Sequence, residues 1–174
     1  MTEIQFADEP IDPHRLRAGL GHYATGVAVM TTRTPEGKLE GLTANSFAAV
    51  SLHPPLILWS LRREAPSLKG FLAAKVFVVN VLANEQSHLS HHFASPKSDK
   101  FHETAFSAGL AGCPVLHDPL ACFQCTTETA VDGGDHIIII GRVRRLAFRD
   151  GKPLIFVRGQ YCSSQLINAV NQRQ

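Results

Sequence analysis

A chain of 174 residues fits one domain, and 44% hydrophobic residues are enough to build its core. The formal charge of +2 comes with seventeen Lys and Arg scattered along the chain, not the basic stripe with interleaved aromatics of a nucleic-acid binder. Met1-Thr2-Glu3 is not a secretory start. The longest apolar runs, Pro54–Leu61, Val76–Leu82 and Ile137–Ile140, also fall far short of the roughly 18 to 20 residues of a membrane span. A cytoplasmic protein without nucleic-acid or membrane partners is expected, and its four cysteines are too few for a disulfide scaffold.

Asp12-Pro13 reads as an N-cap followed by proline at the first helical position, and Leu16, Leu20 and Tyr23 recur at helical spacing, predicting an amphipathic helix over Pro13–Ala24. Val27–Thr34 is β-branched and apolar; Pro35–Gly37 turns the chain back into Leu39–Ala44. Val50–Leu52 is broken by His53-Pro54-Pro55, and Leu56–Leu61 resumes as a strand. A short helix over Ser67–Ala74, a strand over Val76–Leu82 and a second short helix over Glu85–Phe93 follow. Ala94–Gly112 reads as a long irregular connection, a kind of segment that is often functional. Leu120–Ala130, His136–Leu146 and Pro153–Tyr161 close the chain as strands, with hairpin turns expected at Asp132–Gly134 and Asp150-Gly151. About seven strands joined mostly by hairpins predict a mainly β fold, and closure disposes of their edges most completely. The expected architecture is a β-barrel with peripheral helices.

No G-x-G-x-x-G follows the first strand, and neither a Walker loop nor a G-x-S-x-G elbow is present. Cys122-Phe-Gln-Cys125 looks like a metal or redox pair. In a strand, though, residues three apart point to opposite faces, so structural thiols are expected. His88, His91 and His92 have no carboxylate or cysteine nearby to complete a ligand set, and no metal is expected.

Gly41-Leu-Thr-Ala-Asn-Ser-Phe47 places three small polar side chains, Thr43, Asn45 and Ser46, at a strand end. Two readings stand side by side. These groups are turn chemistry, with Arg62 a surface cation, or they satisfy the edge of a flat heteroaromatic ring while Arg62 and Ser67 meet a phosphate. Ser67 at a helix start adds backbone donors to the second reading. Lys100-Phe101 offers a cation and a stacking ring, or a solvated loop lysine. His136 heads a strand after a turn, where an imidazole reaches a ligand or only solvent. Asn80 interrupts an apolar strand and has a neighbouring backbone group to cap.

In chain order these pieces resemble the flavin-reductase-like family, the small reductase components of two-component flavin monooxygenases. The matching stretches are Tyr23–Val27, Gly41–Phe47, Val50–Leu56, Phe77–Ala83, Phe93-Ala94 with Asp99–Phe101, Gly134–His136 and Pro153–Tyr161. The resemblance spans about residues 14 to 164, and implies a single domain over 1–174 with short extensions and no appended regulatory domain. It further implies a split β-barrel of the FMN-binding type with antiparallel Greek-key strands, assembled as a homodimer. Such a protein binds FMN or FAD, accepts a hydride from NADH or NADPH, and hands reduced flavin to a separate monooxygenase. Other outcomes on the same barrel are a retained flavin that acts on its own substrate, and a non-catalytic flavin carrier or sensor. By position, Thr43, Ala44, Asn45 and Ser46 would meet the isoalloxazine and ribityl chain. Ser60, Leu61 and Arg62 with Ser67 would hold the ribityl and phosphate end, and Ala83, Gln86, Lys100 and Phe101 would line the rest. His136 and Tyr161 would stand on the nicotinamide side, His136 as the one candidate catalytic group. The sequence departs from the family at His53, where an acidic residue is common, and in the unusually apolar Ile137–Ile140.

Overall fold

The computed structural model describes residue 4 and residues 6–165. The first helix, α1 (Pro13–Leu20), starts where the Asp12 carboxylate accepts the Arg15 N–H at 2.9 Å, with Pro13 in its first turn. It ends at Leu20, four residues before the expected Ala24, where the N–H of the capping Gly21 closes the last turn on the carbonyl of Arg17. No residue of α1 is buried, and Leu16, Leu20 and the following Tyr23 are exposed.

Twelve strands occur among the described residues, and all their pairings are antiparallel. They are β1 (Thr25–Gly26), β2 (Ala28–Arg33), β3 (Leu39–Ala44), β4 (Ala48–Ser51), β5 (Leu56–Arg62), β6 (Val76–Val81), β7 (Phe106–Ala108), β8 (Pro114–Leu116), β9 (Ala121–Gly133), β10 (His136–Phe148), β11 (Leu154–Val157) and β12 (Gln160–Ser163). Seven form one sheet in the order β3-β2-β6-β9-β10-β5-β4, β1-β11-β12 form a second, and β7-β8 a third. Two further helices, α2 (Leu68–Ala74) and α3 (Ser87–Ala94), lie outside the sheets, α3 following a 3-10 turn over Asn84–Gln86. The fold is therefore mainly β with few helices. The backbone ladder of the seven-stranded sheet does not run on from β4 to β3. The link between those two strands is tied to β5, where Ser46 Oγ accepts the Ser60 N–H at 2.9 Å and donates to the Ser60 carbonyl at 3.1 Å.

The β9–β10 hairpin closes through Gly134-Asp135, with Gly134 at φ 77°, and both arms reach further than expected. The expected hairpin at Asp150-Gly151 is corrected. β10 pairs with β9 and β5, whereas the chain after Gly151 crosses to the second sheet. Pro153–Tyr161 is likewise not one strand. It folds back at Arg158-Gly159, whose φ values of 50° and 79° make the two-residue loop that suits a tight hairpin. Part of the expected irregular connection Ala94–Gly112 is strand β7, paired with β8.

Trp59, Phe71, Phe77, Met30 and Ile139 pack in the largest apolar cluster, with the Trp59 ring edge-on to Phe71 and Phe77. Cys125 belongs to that cluster and Cys122 to another with Val78 and Cys113, so the two thiols do lie on opposite faces of β9. Burial pushes the Cys125 thiol up to about 12. Asn80 is fully buried beside them and fully used. Its amide donates to the Val29 carbonyl (3.1 Å) and Thr31 Oγ1 (3.2 Å), and its oxygen accepts the Leu116 N–H (2.9 Å).

Candidate functional site

Among the described residues lies a cleft of about 900 Å³, near the top of the range of small-molecule sites. Every residue from Lys38 to Ser46 lines it. A strand that offers one face shows alternate residues, so an unbroken run means that β3 presents its edge. β3 pairs with β2 alone, which leaves half of its backbone N–H and C=O groups without a ladder partner along about 17 Å of strand. The opposite wall is the end of β5 (Ser60–Arg62) with Ala65–Ser67; residues 93–98, Lys100 and Phe101 form a third side, and His136 stands at the rim.

β3 comes this close to α3 because Gly41 has no side chain. A Cβ there would fall 2.6 Å from Phe93 Cε1 and 3.0 Å from Phe101 Cζ. The rings of Phe93, Phe101 and Phe106 pack edge to face in succession. Half-buried Lys100 ties the same elements together. Its ammonium donates to the Phe93 carbonyl (2.7 Å) and the Gly41 carbonyl (3.2 Å), and burial lowers its pKa from the usual lysine value.

The polar trio divides. Thr43 Oγ1 donates to the Ser90 carbonyl (2.7 Å), and Ser46 Oγ holds Ser60 as described. Asn45 is exposed and makes no such bond, so its amide remains open to a ligand on the cleft. Arg62 is exposed at the end of β5, opposite His136 in the β5–β10 register, and forms no ion pair among the described residues. Arg63, its neighbour, is occupied by Asp132 and the Gly134 carbonyl. His136 Nδ1 lies 2.7 Å from Asp135 Oδ1, and the imidazole beside Asp135 holds its carboxyl below the usual range. That contact fixes one ring nitrogen and leaves Nε2 for a ligand.

Of the positions singled out in the sequence, Thr43, Ala44, Asn45, Ser46, Ser60, Leu61, Arg62, Ser67, Lys100, Phe101 and His136 line this cleft together. Ala83, Gln86 and Tyr161 do not. Ala83 is fully buried, and Gln86 spends its oxygen on the Ala83 N–H and its amide on the carbonyls of His117 and Asp118. Tyr161 meets Ser90 Oγ at 2.7 Å and the edge of His91. Lys38, Glu40, Pro66 and the 95–98 turn line the cleft without having been singled out; the length of the 94–112 connection was a signal for the turn alone. Among the described residues no group of three His, Cys, Asp or Glu could hold a metal, and no helix is long and apolar enough to cross a membrane.

An edge-on strand, the exposed Asn45 amide and the exposed Arg62 thus border one long cleft. Residues 20–165 match the flavin reductase like domain, and the chain belongs to that family. It is 41% identical over 156 residues to the reductase subunit HsaB of a flavin-dependent monooxygenase from Rhodococcus jostii, covering 89% of this chain and 80% of that one. It is 39% identical over 158 residues to a probable flavin reductase of Rhizobium meliloti, covering 91% of this chain but only about half, 51%, of the relative. A solved homologue of nitrilotriacetate monooxygenase component B from Mycobacterium thermoresistibile superposes with a TM-score of 0.88 at 35% identity, covering 96% of this chain and 94% of that one.

Proposed function

We propose that this chain is an NAD(P)H:flavin oxidoreductase that reduces FMN or FAD and supplies the reduced flavin to a separate monooxygenase. The observation that supports it most directly is the cleft on the β3 edge, where unpaired backbone groups and the Asn45 amide suit the donor and acceptor edge of an isoalloxazine. The flavin fits the residues present: Gly41 keeps the strand flush with α3, and Arg62 is an unspent cation for a phosphate. When bound, the flavin supplies a ring that accepts a hydride from a reduced nicotinamide.

The chain's own groups bind and orient. Ala44 and Asn45 face the ring and ribityl chain, Ser60, Leu61, Arg62 and Ser67 the ribityl and phosphate end, and Phe101 closes the third side. Thr43, Ser46 and Lys100 act from behind, by holding β3 against α3 and β5. His136 positions the nicotinamide at the rim through Nε2, with Asp135 steering its ring. A split β-barrel, a single domain over 1–174, a homodimer and a cytoplasmic setting complete the reading. They rest on the family resemblance and on the exposed apolar residues of α1 and β10, Leu16, Leu20, Leu146 and Phe148, which suit a second copy.

The test is oxidation of NADH and NADPH by the purified protein with and without added FMN, FAD or riboflavin. Turnover that depends on added flavin is expected. A yellow protein without nicotinamide oxidation would make it a carrier, and a protein that binds no flavin would end the reading.

A further inference from the structure

The rim of the cleft stands on an exposed turn. Residues 128–135, at the tip of the β9–β10 hairpin, are all exposed, and a Cβ on Gly134 would meet no atom within 4 Å. His136 comes next in the chain, so the place of its imidazole depends on how firmly Gly134 and Asp135 are held. An exposed hairpin end opens locally at low cost unless something ties it.

Arg63 is that tie. It follows Arg62, where the β5–β10 ladder ends on the Arg62–His136 pair. Its backbone N–H carries the ladder one bond further, to the Asp135 carbonyl at 3.0 Å. Its Nε donates to the Gly134 carbonyl at 2.6 Å, and its guanidinium also meets the Asp132 carboxylate. One residue thus grips two successive carbonyls of the turn and the acidic side chain before it. A guanidinium can do this because its planar fork offers donors in two directions, where an ammonium is a point charge. The hydrogen bond and charge of Arg63 hold the Asp132 carboxyl below its usual range, so the pair stays charged near neutral pH.

An ion pair this accessible, with Arg63 42% and Asp132 76% exposed, contributes little to global stability. Its effect is local. Arg62 borders the cleft, whereas Arg63 is not among the residues that line it, so Arg63 acts on the rim from outside.

We propose that Arg63 is a positioning residue, which fixes the β9–β10 turn and thereby sets His136 at the nicotinamide rim. The inference rests on the reductase reading above and deepens it.

The experiment has two arms, both on the full chain. In the first, NMR backbone order parameters of Gly134–His136 are measured without ligand. The wild type should show the rigid value of about 0.85, and Arg63→Met should fall below about 0.6 with its denaturation midpoint unmoved. Arg63→Lys, which keeps a charge for Asp132, should recover part of the loss. The second arm follows NADH oxidation at saturating flavin. Arg63→Met should raise the KM for NADH about threefold, with kcat and the flavin dissociation constant unchanged. Combined with His136→Ala it should be no worse than His136→Ala alone, because Arg63 acts through that side chain. A turn still rigid in Arg63→Met, or two effects that multiply in the double variant, would overturn the proposal. So would a loss of stability or flavin affinity that matches the rise in KM, which would leave Arg63 a merely structural residue. Normal kinetics of His136→Ala beside a loosened turn would overturn the link to the nicotinamide and leave the grip on the turn standing. A chain that oxidises no nicotinamide would end the reductase reading, and the order parameters would still decide whether Arg63 holds the turn.

Discussion

Two groups of polar side chains sit on the two strands that flank β2 and meet opposite fates. On β6, Asn80 lies between Val29, Thr31 and Leu116 with donors and acceptor all engaged and no exposure. At the end of β3, Thr43 and Ser46 are engaged in the same structural way, but Asn45 beside them is exposed on the cleft. The residue types barely differ; what differs is whether the hydrogen-bonding capacity is already spent. A polar group in an apolar strand is structural when every valence is answered within the chain, and a binding group when one is left over.

That contrast can be broken most forcefully at Asn80. Asn80→Ala strands three buried backbone and side-chain partners and should cost about 3 kcal/mol of stability in denaturant unfolding, without changing flavin affinity in the protein that remains folded. Gly41→Ala comes next. Its Cβ would meet Phe93 and Phe101, at a cost of about 2 kcal/mol in the same assay, and the displaced β3 should bind flavin more weakly as well. A variant as stable as the wild type would show that α3 yields readily to β3.

The cleft side of the comparison should respond the other way round. Asn45→Ala should leave stability within about 0.5 kcal/mol and weaken flavin binding about fivefold. Loss of stability with unchanged binding would move Asn45 to the structural class. His136→Ala should raise the KM for the nicotinamide about threefold or lower kcat, with stability unmoved; unchanged steady-state kinetics would reject its role. Smallest of all, thiol titration of the native protein near pH 8 should show rapid reaction at the half-buried Cys162 alone. Cys113, Cys122 and Cys125 are buried, and desolvation holds their thiols protonated.

Much of this was legible in the residues. The Asp12-Pro13 cap and the periodicity of Val76–Leu82 lead straight to α1 and β6, because local chemistry decides both. The β9–β10 hairpin was legible from Gly134, but the partner of β11 was not, since Asp150-Gly151 suits a turn whether or not the strands around it pair. Arg158-Gly159 was the overlooked signal: a glycine inside a supposed strand beside a residue driven to positive φ. For the site, the sequence shows which side chains are polar but not which are spent. Thr43 looked as available as Asn45 until the Ser90 carbonyl, 47 residues away, was seen to hold it. Gln86 was misleading for the same reason, its partners lying 31 and 32 residues further on.

The Ser46 hydroxyl between β3 and β5 has a consequence of its own. The link from β3 to β4 is fastened to β5 there by a side chain instead of a ladder, and a two-bond fastening can part without disturbing the apolar cluster around Trp59. The Ser60 amide proton, bound to that hydroxyl, therefore times the breathing of the seam. Its exchange with heavy water should be faster than that of the Val79 amide within the sheet. An occupant of the cleft should slow it, so a single resonance would report whether the groove is filled.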